Sequence, residues 1–161
     1  MASAAGVREG ELWDLFDVAG HTESGGAETY LERVLKRCAE WFRASGASIF
    51  VGQEGDSIFH MAACTGTLGQ IPNDAFVRSG VGIAGAALER GTPLLVHDPS
   101  RDPELSSKRL KRRKDVGSAM VLPLTASSGE AIGVINFSRS TLAEPFGDAD
   151  LAQAAALARL I

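Results

Sequence analysis

The hydrophobic positions of the chain recur at two different spacings, and the change of spacing separates helices from strands. The clearest helical pattern lies between Glu28 and Ala44, where apolar residues recur every three or four positions and charged residues occupy the opposite face. The apolar positions are Tyr30, Leu31, Val34, Leu35, Cys38, Trp41 and Phe42. A weaker repeat predicts a short amphipathic helix from Leu12 to Ala19.

Beyond Gly46 the helical spacing is replaced by a period of two, or by short runs such as MVLPL and IGVINF that are apolar on both alternating sets, and these patterns predict strands. The predicted strands are Ala47 to Val51, Ser57 to Cys64, a short Phe76 to Arg78, Leu94 to Val96, Ser118 to Leu124 and Ala131 to Ser138. Polar turns that contain glycine join the first two strands and the last two, so each pair predicts an antiparallel hairpin.

Two further helices are predicted, one from Ile83 to Arg90 and one after Asp148. The last helix is still apolar at Ile161, so we expect it to be cut short on the way to a further domain. The pattern divides the chain into residues 1–26, a short helix and a polar linker, and residues 27–161, one folded domain.

Composition narrows the class of protein. With 161 residues, 45% of them hydrophobic, the chain has the size of one compact domain. The net charge of −4 argues against general nucleic-acid binding. There is no apolar run of membrane-spanning length and no signal-peptide core, which predicts a cytoplasmic protein with no membrane contact. The two cysteines, Cys38 and Cys64, lie within apolar patterns, and we expect buried, inert thiols.

The segment from Phe76 to Asp98 contains a glycine pattern that also occurs in dinucleotide-binding proteins. Gly80, Gly82 and Gly85 form G-x-G-x-x-G, and Asp98 stands where a ribose-binding acid would be expected. The context differs from that of a Rossmann unit, because the preceding residues are not a continuous apolar run, the following helix is short, and the chain continues with a hairpin. We therefore predict turn conformations at Gly80 and Gly82, and a close approach to the sheet at Gly85.

Three segments, in this order, resemble those of GAF domains: RSGVGIAGAALERGTPLLVHDPSRDP, GSAMVLPLTASSGEAIGVINFSRS and EPFGDADLAQAAALA. The likeness extends from Ala27 to Ile161. It implies an α+β fold with a central antiparallel sheet of five or six strands, terminal helices on one face and short helices and loops on the other. It also implies a sensory or regulatory domain of a signalling protein, such as a sensor histidine kinase of a two-component system, that controls an output domain.

The resemblance further implies a pocket for a small ligand between the sheet and the short helices. Its expected lining residues are Phe76, Arg78, Val81, Ile83, His97, Asp98, Arg101, Met120 and Asn136. Ordinary core packing is the alternative for the apolar members of this set. Asn136 is more informative, because an amide within an apolar strand must bond to backbone, water or ligand.

Several specialised activities of the family are disfavoured by the residues present. Neither His60 nor His97 has a second ligand at suitable spacing, so no metal site is predicted, and haem binding through one of them is a minor alternative. The Cys-His motif of bilin-binding relatives and the Asn-Lys-Phe-Asp-Glu set of cyclic-nucleotide-binding relatives are absent. Free methionine sulfoxide reductases share the fold but need cysteines in the pocket loops. We predict a non-catalytic domain whose cofactor or ligand is unknown.

Two surfaces are candidates for partners. One is a basic run that is either a solvated loop, an anion-attracting lip over the pocket or a docking patch, formed by Lys108, Arg109, Lys111, Arg112, Arg113 and Lys114. The other is an apolar face of the terminal helices that predicts a homodimer, formed by Leu12, Leu15, Phe16, Leu151, Ala155, Leu157 and Leu160. The competing function is a protein-interaction platform with a collapsed pocket.

Overall fold

The structure is a computed structural model, and it describes residues 27–66, 75–97 and 116–159. Three helices occur in these residues: α1 (Ala27–Trp41), α2 (Gly82–Arg90) and α3 (Asp148–Ala158). The strands are β1 (Gly46–Val51), β2 (Ile58–Gly66), β3 (Phe76–Arg78), β4 (Leu94–Val96), β5 (Val116–Thr125) and β6 (Ala131–Ser140). The helix predicted from Leu12 to Ala19 lies outside the described residues.

All six strands belong to one antiparallel sheet in the order β3-β2-β1-β6-β5-β4. The long strands β5 and β6 and the hairpin of β1 and β2 occupy the centre, and the two edge strands have three residues each. This arrangement confirms the predicted α+β fold and both hairpins. None of the described helices is long and apolar enough to cross a membrane.

The helices α1 and α3 cover one face of the sheet, which we call the α1/α3 face. Val34 and Cys38 of α1 and Leu157 of α3 are buried against it. Phe42 lies just beyond α1, and its ring centroid is 5.2 Å from that of Phe137 in a tilted aromatic contact. The buried residues that the strands contribute here are Ala47, Ile49, Ala63, Met120, Leu122, Leu124, Ile135 and Phe137.

The helix α2 covers the opposite face, the α2 face. Ala87 and Leu88 pack there against Phe50, Phe59 and Val134. Because helices lie on both sides, β5 and β6 bury side chains in both directions, which accounts for strands that are apolar at nearly every position.

The glycines before and within α2 set how closely that helix approaches its neighbours. Gly80 (φ 80°) and Gly82 (φ 72°) have left-handed backbone conformations that favour glycine. A Cβ atom at Gly85 would collide with the carbonyl oxygen of Arg78 in β3. These observations confirm the predicted turn and close-approach roles. The strand that precedes the glycines is an antiparallel edge strand, so the motif does not lie in a parallel Rossmann unit.

One extra residue interrupts the pairing of β1 with β2. Ile49 pairs with Ala63 and Phe50 pairs with Met61, which leaves Ala62 as a β-bulge. Ala62 and Ala63 consequently both contact the core of the α1/α3 face. The next residue, Cys64, projects from the α2 face.

Candidate functional site

Three polar side chains lie next to one another on the α2 face. Cys64 of β2 pairs with Ser48 of β1, and Ser48 pairs with Asn136 of β6. Paired residues of antiparallel strands project from the same face. Asn136 also pairs with Val121, which packs against α2, so all of them lie on the α2 face. We call Cys64, Ser48 and Asn136 the polar row.

The centre of the polar row is a hydrogen bond between two side chains. Nδ2 of Asn136 donates to Oγ of Ser48 at 3.2 Å, and Ser48 is only 5% exposed. This bond uses one of the two Nδ2 protons, and Oδ1 of Asn136 has no hydrogen-bond partner among the described residues. A half-buried amide with this unused capacity can orient a polar ligand.

The neighbouring positions on the α2 face carry small side chains. Gly46 of β1 pairs with Ser138 of β6, and Ser138 pairs with Ala119 of β5. Both β2 and β4 end beside this row, at Gly66 and Val96. The side chains at these positions are therefore short, and they fill little space above the strands next to the polar row.

The predicted pocket residues do not all lie on this face. Asn136 does, and Ile83 of α2 packs against the core of the α2 face. Val81, the residue before α2, is 60% exposed. Met120 is fully buried on the α1/α3 face, because its neighbour Val121 projects towards α2 and strand residues alternate.

The edge strand β3 shows the same effect of alternation. Val77 pairs with Phe59 and contacts the core of the α2 face, whereas Phe76 pairs with His60. Phe76 and Arg78 are therefore on the other side of the strand, where both are exposed. The sequence-based prediction missed Val77 and Ser48, which both lie on the α2 face. Alternation of apolar and polar residues does not show which of the two alternating groups faces α2.

The two candidate haem ligands have other surroundings. His97 follows β4, and its Nε2 is 2.6 Å from the carbonyl oxygen of Phe146, so this nitrogen carries a proton and donates it. His60 is exposed on β2, and its partner in β1 is Val51. Within the described residues no group of three His, Cys, Asp or Glu side chains could hold a metal ion.

The remaining predicted residues lie outside the described part of the chain. They are Asp98, Arg101 and the basic run of Lys108, Arg109, Lys111, Arg112, Arg113 and Lys114. Their assignment to the pocket rim or to a partner surface stays a prediction.

The two cysteines differ in environment. Cys38 is 2% exposed, and burial raises the pKa of its thiol from 9.0 to about 12, so it is protonated and unreactive at neutral pH. Cys64 is exposed in the polar row. The expectation of two buried thiols is therefore wrong for Cys64, because the bulge at Ala62 turns this residue away from the α1/α3 core.

A concavity of about 410 Å³ lies between the β1–β2 turn, the end of α2 and the β5–β6 turn, away from the polar row. Its lining includes the carboxylates of Asp56, Glu89 and Glu130 and the guanidinium of Arg90. Asp56 already accepts a hydrogen bond from the backbone N–H of Gln53 at 2.8 Å, which shapes the turn. Small-ligand pockets are mostly apolar with a few polar groups, a description that fits the polar row better than this charged groove.

Comparison with known proteins agrees with the fold described above. The family model described as GAF domain matches residues 26–161. Among curated proteins, no relative matches the chain.

Several solved structures have a similar fold. The GAF domain of a phosphoenolpyruvate-protein phosphotransferase from Coxiella burnetii is 19% identical, with a TM-score of 0.73 over 92% of this chain and 86% of that one. Residues 122 to 287 of a methyl-accepting chemotaxis protein are 16% identical, with a TM-score of 0.72 over 90% of each chain. A free methionine-R-sulfoxide reductase from Neisseria meningitidis, in complex with its substrate, is 20% identical, with a TM-score of 0.70 over 92% of this chain and 82% of the reductase chain. At these identities the likeness shows the fold alone.

Proposed function

The chain belongs to the GAF domain family, and from this premise we propose that it is a non-catalytic sensory domain that binds a small molecule and controls an output domain of a signalling protein. Similar domains are found in a phosphotransferase and in a chemotaxis protein, which supports a regulatory role. The observation that carries the ligand proposal is the half-buried amide of Asn136 beside small residues on the α2 face.

The ligand site that we propose is the polar row together with the neighbouring small residues. Asn136 offers an amide oxygen and a second amide proton, and Ser48 offers a hydroxyl proton. The surrounding residues Val121 and Ile83 are apolar. This combination fits a small ligand with one polar end that exchanges hydrogen bonds and an apolar body that packs against α2.

The same residues favour binding over catalysis, although a reductase with this fold exists. Reduction of a sulfoxide by a thiol leaves a sulfenic acid, which a second thiol must resolve. The sequence has two cysteines, and Cys38 is buried on the α1/α3 face while Cys64 lies on the α2 face. Cys64 therefore has no second thiol of this chain beside it, and we propose no reductase activity.

We also propose a homodimer that forms through the helical face. Leu157 belongs to the core, and Leu151 and Ala155 pack against it, so these predicted contact residues are largely used within the domain. The exposed side of α3 instead presents Ala152 and Ala156, which are one helical turn apart. Small side chains allow a second helix to approach closely.

Native mass spectrometry of the protein purified from its own host tests the ligand proposal. We expect a retained mass that is released on unfolding and is lost or reduced at least tenfold in Asn136→Leu, which keeps the size of the side chain but removes its amide. Gln153→Leu, which removes an amide from α3 on the opposite side of the sheet, is the matched control and should retain the ligand.

Modification of Cys64 by a thiol reagent gives a second test, because a ligand bound at the polar row should protect this thiol. The ligand proposal would be contradicted if the unsubstituted protein retained no mass and no small molecule protected Cys64. That result would favour the competing function, an interaction platform that recognises another signalling domain. Equal retention by the unsubstituted protein and Asn136→Leu would show instead that a ligand binds away from the polar row.

A further inference from the structure

Three side chains, two from strands and one from the residue after a strand, contact Phe146, which precedes α3. Phe146 is fully buried, and its backbone N–H donates to Oγ of Ser118 in β5 at 3.0 Å. Its carbonyl oxygen accepts from Nε2 of His97, the residue after β4, at 2.6 Å. The guanidinium carbon of Arg139 in β6 lies 4.1 Å from the centroid of the Phe146 ring, within cation–π distance. The position of Phe146 therefore depends on β4, β5 and β6 together.

The contacts of Phe146 form a junction between the sheet and α3, and Arg139 connects this junction to both helices of the α1/α3 face. Its Nη2 donates to the carbonyl oxygen of Phe42 at 2.6 Å, and its Nη1 donates to that of Glu144 at 3.2 Å. Nη1 is also 3.9 Å from Oδ2 of Asp150, in the first turn of α3. The same carboxylate oxygen accepts from the N–H of Gly147 at 2.8 Å. A side chain only 13% exposed thus links the end of α1, the β6–α3 connection and the start of α3.

The three residues that contact Phe146, which we call its anchors, differ in how firmly the sheet holds them. Ser118 and Arg139 belong to two strands of ten residues that pair with each other along their length. His97 follows an edge strand of three residues, and it stands one residue beyond the last pair of that strand, Val96 with Ala119. Edges of sheets open more readily than their centres. His97 is consequently the anchor that a change on the α2 face can move most easily.

The end of β4 contacts the α2 face directly. Val96 is buried against Ala86 of α2, and its partner Ala119 lies on the row next to Asn136. One residue later, His97 contacts Phe146, which belongs to the core of the α1/α3 face. Two successive residues therefore join the two faces of the sheet.

We infer that His97 couples the ligand face to α3: its hydrogen bond to Phe146 transmits the position of the β4 end to the first turn of α3. This inference rests on the proposed sensory function, because the coupling would transmit the effect of ligand binding on the α2 face to the helix α3 on the other face. The contacts that carry the coupling, from α2 through Val96 to His97 and Phe146, are all made by residues of the chain itself. By reciprocity, a disturbance of α3 must also reach β4.

Hydrogen exchange followed by mass spectrometry on the full 161-residue chain tests the coupling without any ligand. His97→Ala removes the donor, and we expect the amides of α3 to exchange roughly 2- to 10-fold faster, the range expected from the loss of one hydrogen bond, while those of α1 change little. His97→Gln retains an N–H donor and should restore most of the protection. His60→Ala, at an exposed histidine of β2, is the matched control and should leave α3 unchanged.

A second pair of variants separates coupling from simple stabilisation. Asp150→Asn weakens the contacts of the first turn of α3 with Arg139 and Gly147. We expect it to speed the exchange of the β4 amides when His97 is present and to have no such effect in the His97→Ala background. Uniform acceleration throughout the chain, or an Asp150→Asn effect on β4 that does not need His97, would overturn the inference. Because no ligand is involved, a failure of the ligand proposal would not affect these measurements.

Discussion

The buried thiol of Cys38 is a group whose ionisation is tied to unfolding. Burial raises its pKa from 9.0 to about 12 in the folded chain, whereas unfolding returns it to water. Below pH 9 the thiol is protonated in both states and does not affect the free energy of unfolding. Between pH 9 and 12 only the unfolded chain ionises, so the folded state loses stability as the pH rises.

We predict that the free energy of unfolding of the unsubstituted chain falls by about 1.4 kcal/mol more than that of Cys38→Ala between pH 8 and pH 10. Urea denaturation of both proteins at the two pH values measures this difference, and other titrating groups cancel because the variants share them. Cys64→Ala, at the exposed cysteine, retains the buried thiol of Cys38 and is the matched control variant. Parallel losses in Cys38→Ala and the unsubstituted chain would contradict the prediction.

Among the secondary-structure elements, α2 is the one whose position and end depend most on glycines, which have no side chain. Gly85 faces the carbonyl oxygen of Arg78, and the three following residues, Ala86 to Leu88, are all buried. Gly91, which ends the helix, has a left-handed conformation (φ 66°) but open space where a Cβ would be. The two glycines are thus required for different reasons, packing in one case and backbone conformation in the other.

We predict that Gly85→Ala destabilises the domain by about 2–3 kcal/mol, because α2 must move away from β3 and from the core of the α2 face. Gly91→Ala should cost only about 1 kcal/mol, the strain of a left-handed alanine. Urea denaturation of the two variants gives the comparison. A Gly85→Ala variant as stable as Gly91→Ala would show that α2 can be displaced without loss, against the packing described above.

For the described residues, the sequence was sufficient to predict the helices and strands and their order, but not which face each strand residue occupies. Helical spacing identified α1, and alternation with glycine turns identified the hairpins, because these signals are local. In β5 both alternating sets are apolar, so nothing local distinguishes Met120 from Val121. The same ambiguity placed Phe76 and Arg78, instead of Val77, in the expected pocket. Asn136 was identified because a single polar residue in such a strand requires a partner.

Taken as a whole, the molecule is a sheet with unlike faces. The α2 face contains the polar row, and the α1/α3 face carries two helices whose outer sides are available for association. On α1 the exposed aromatic residues are Tyr30 and Trp41, and on α3 the exposed positions include Ala152 and Ala156. A ligand and a second subunit would therefore bind on opposite sides of the sheet, and the junction at His97 would connect them.

For the homodimer, we predict that light scattering gives a mass near twice that of the chain at high concentration and that Ala152→Glu combined with Ala156→Glu shifts the mass to that of a monomer. Both positions are exposed, so the substitutions should not disturb the core. Ser127→Glu with Gln53→Glu adds the same charge at exposed sites in the β5–β6 and β1–β2 turns and should leave association unchanged. A monomer at all concentrations of the unsubstituted chain would remove the dimer proposal.

The bulge at Ala62 shifts the inside–outside alternation of β2 by one residue. Residues before it and residues after it belong to opposite phases of the inside–outside alternation, so a β2 strand of the same length that paired without the bulge would exchange Ala63 and Cys64 between the α1/α3 core and the α2 face. A relative of the same length but without the bulge would present a different side chain beside Ser48. Alignments that ignore this shift would match a residue of the α1/α3 core in one protein to a residue of the α2 face in another.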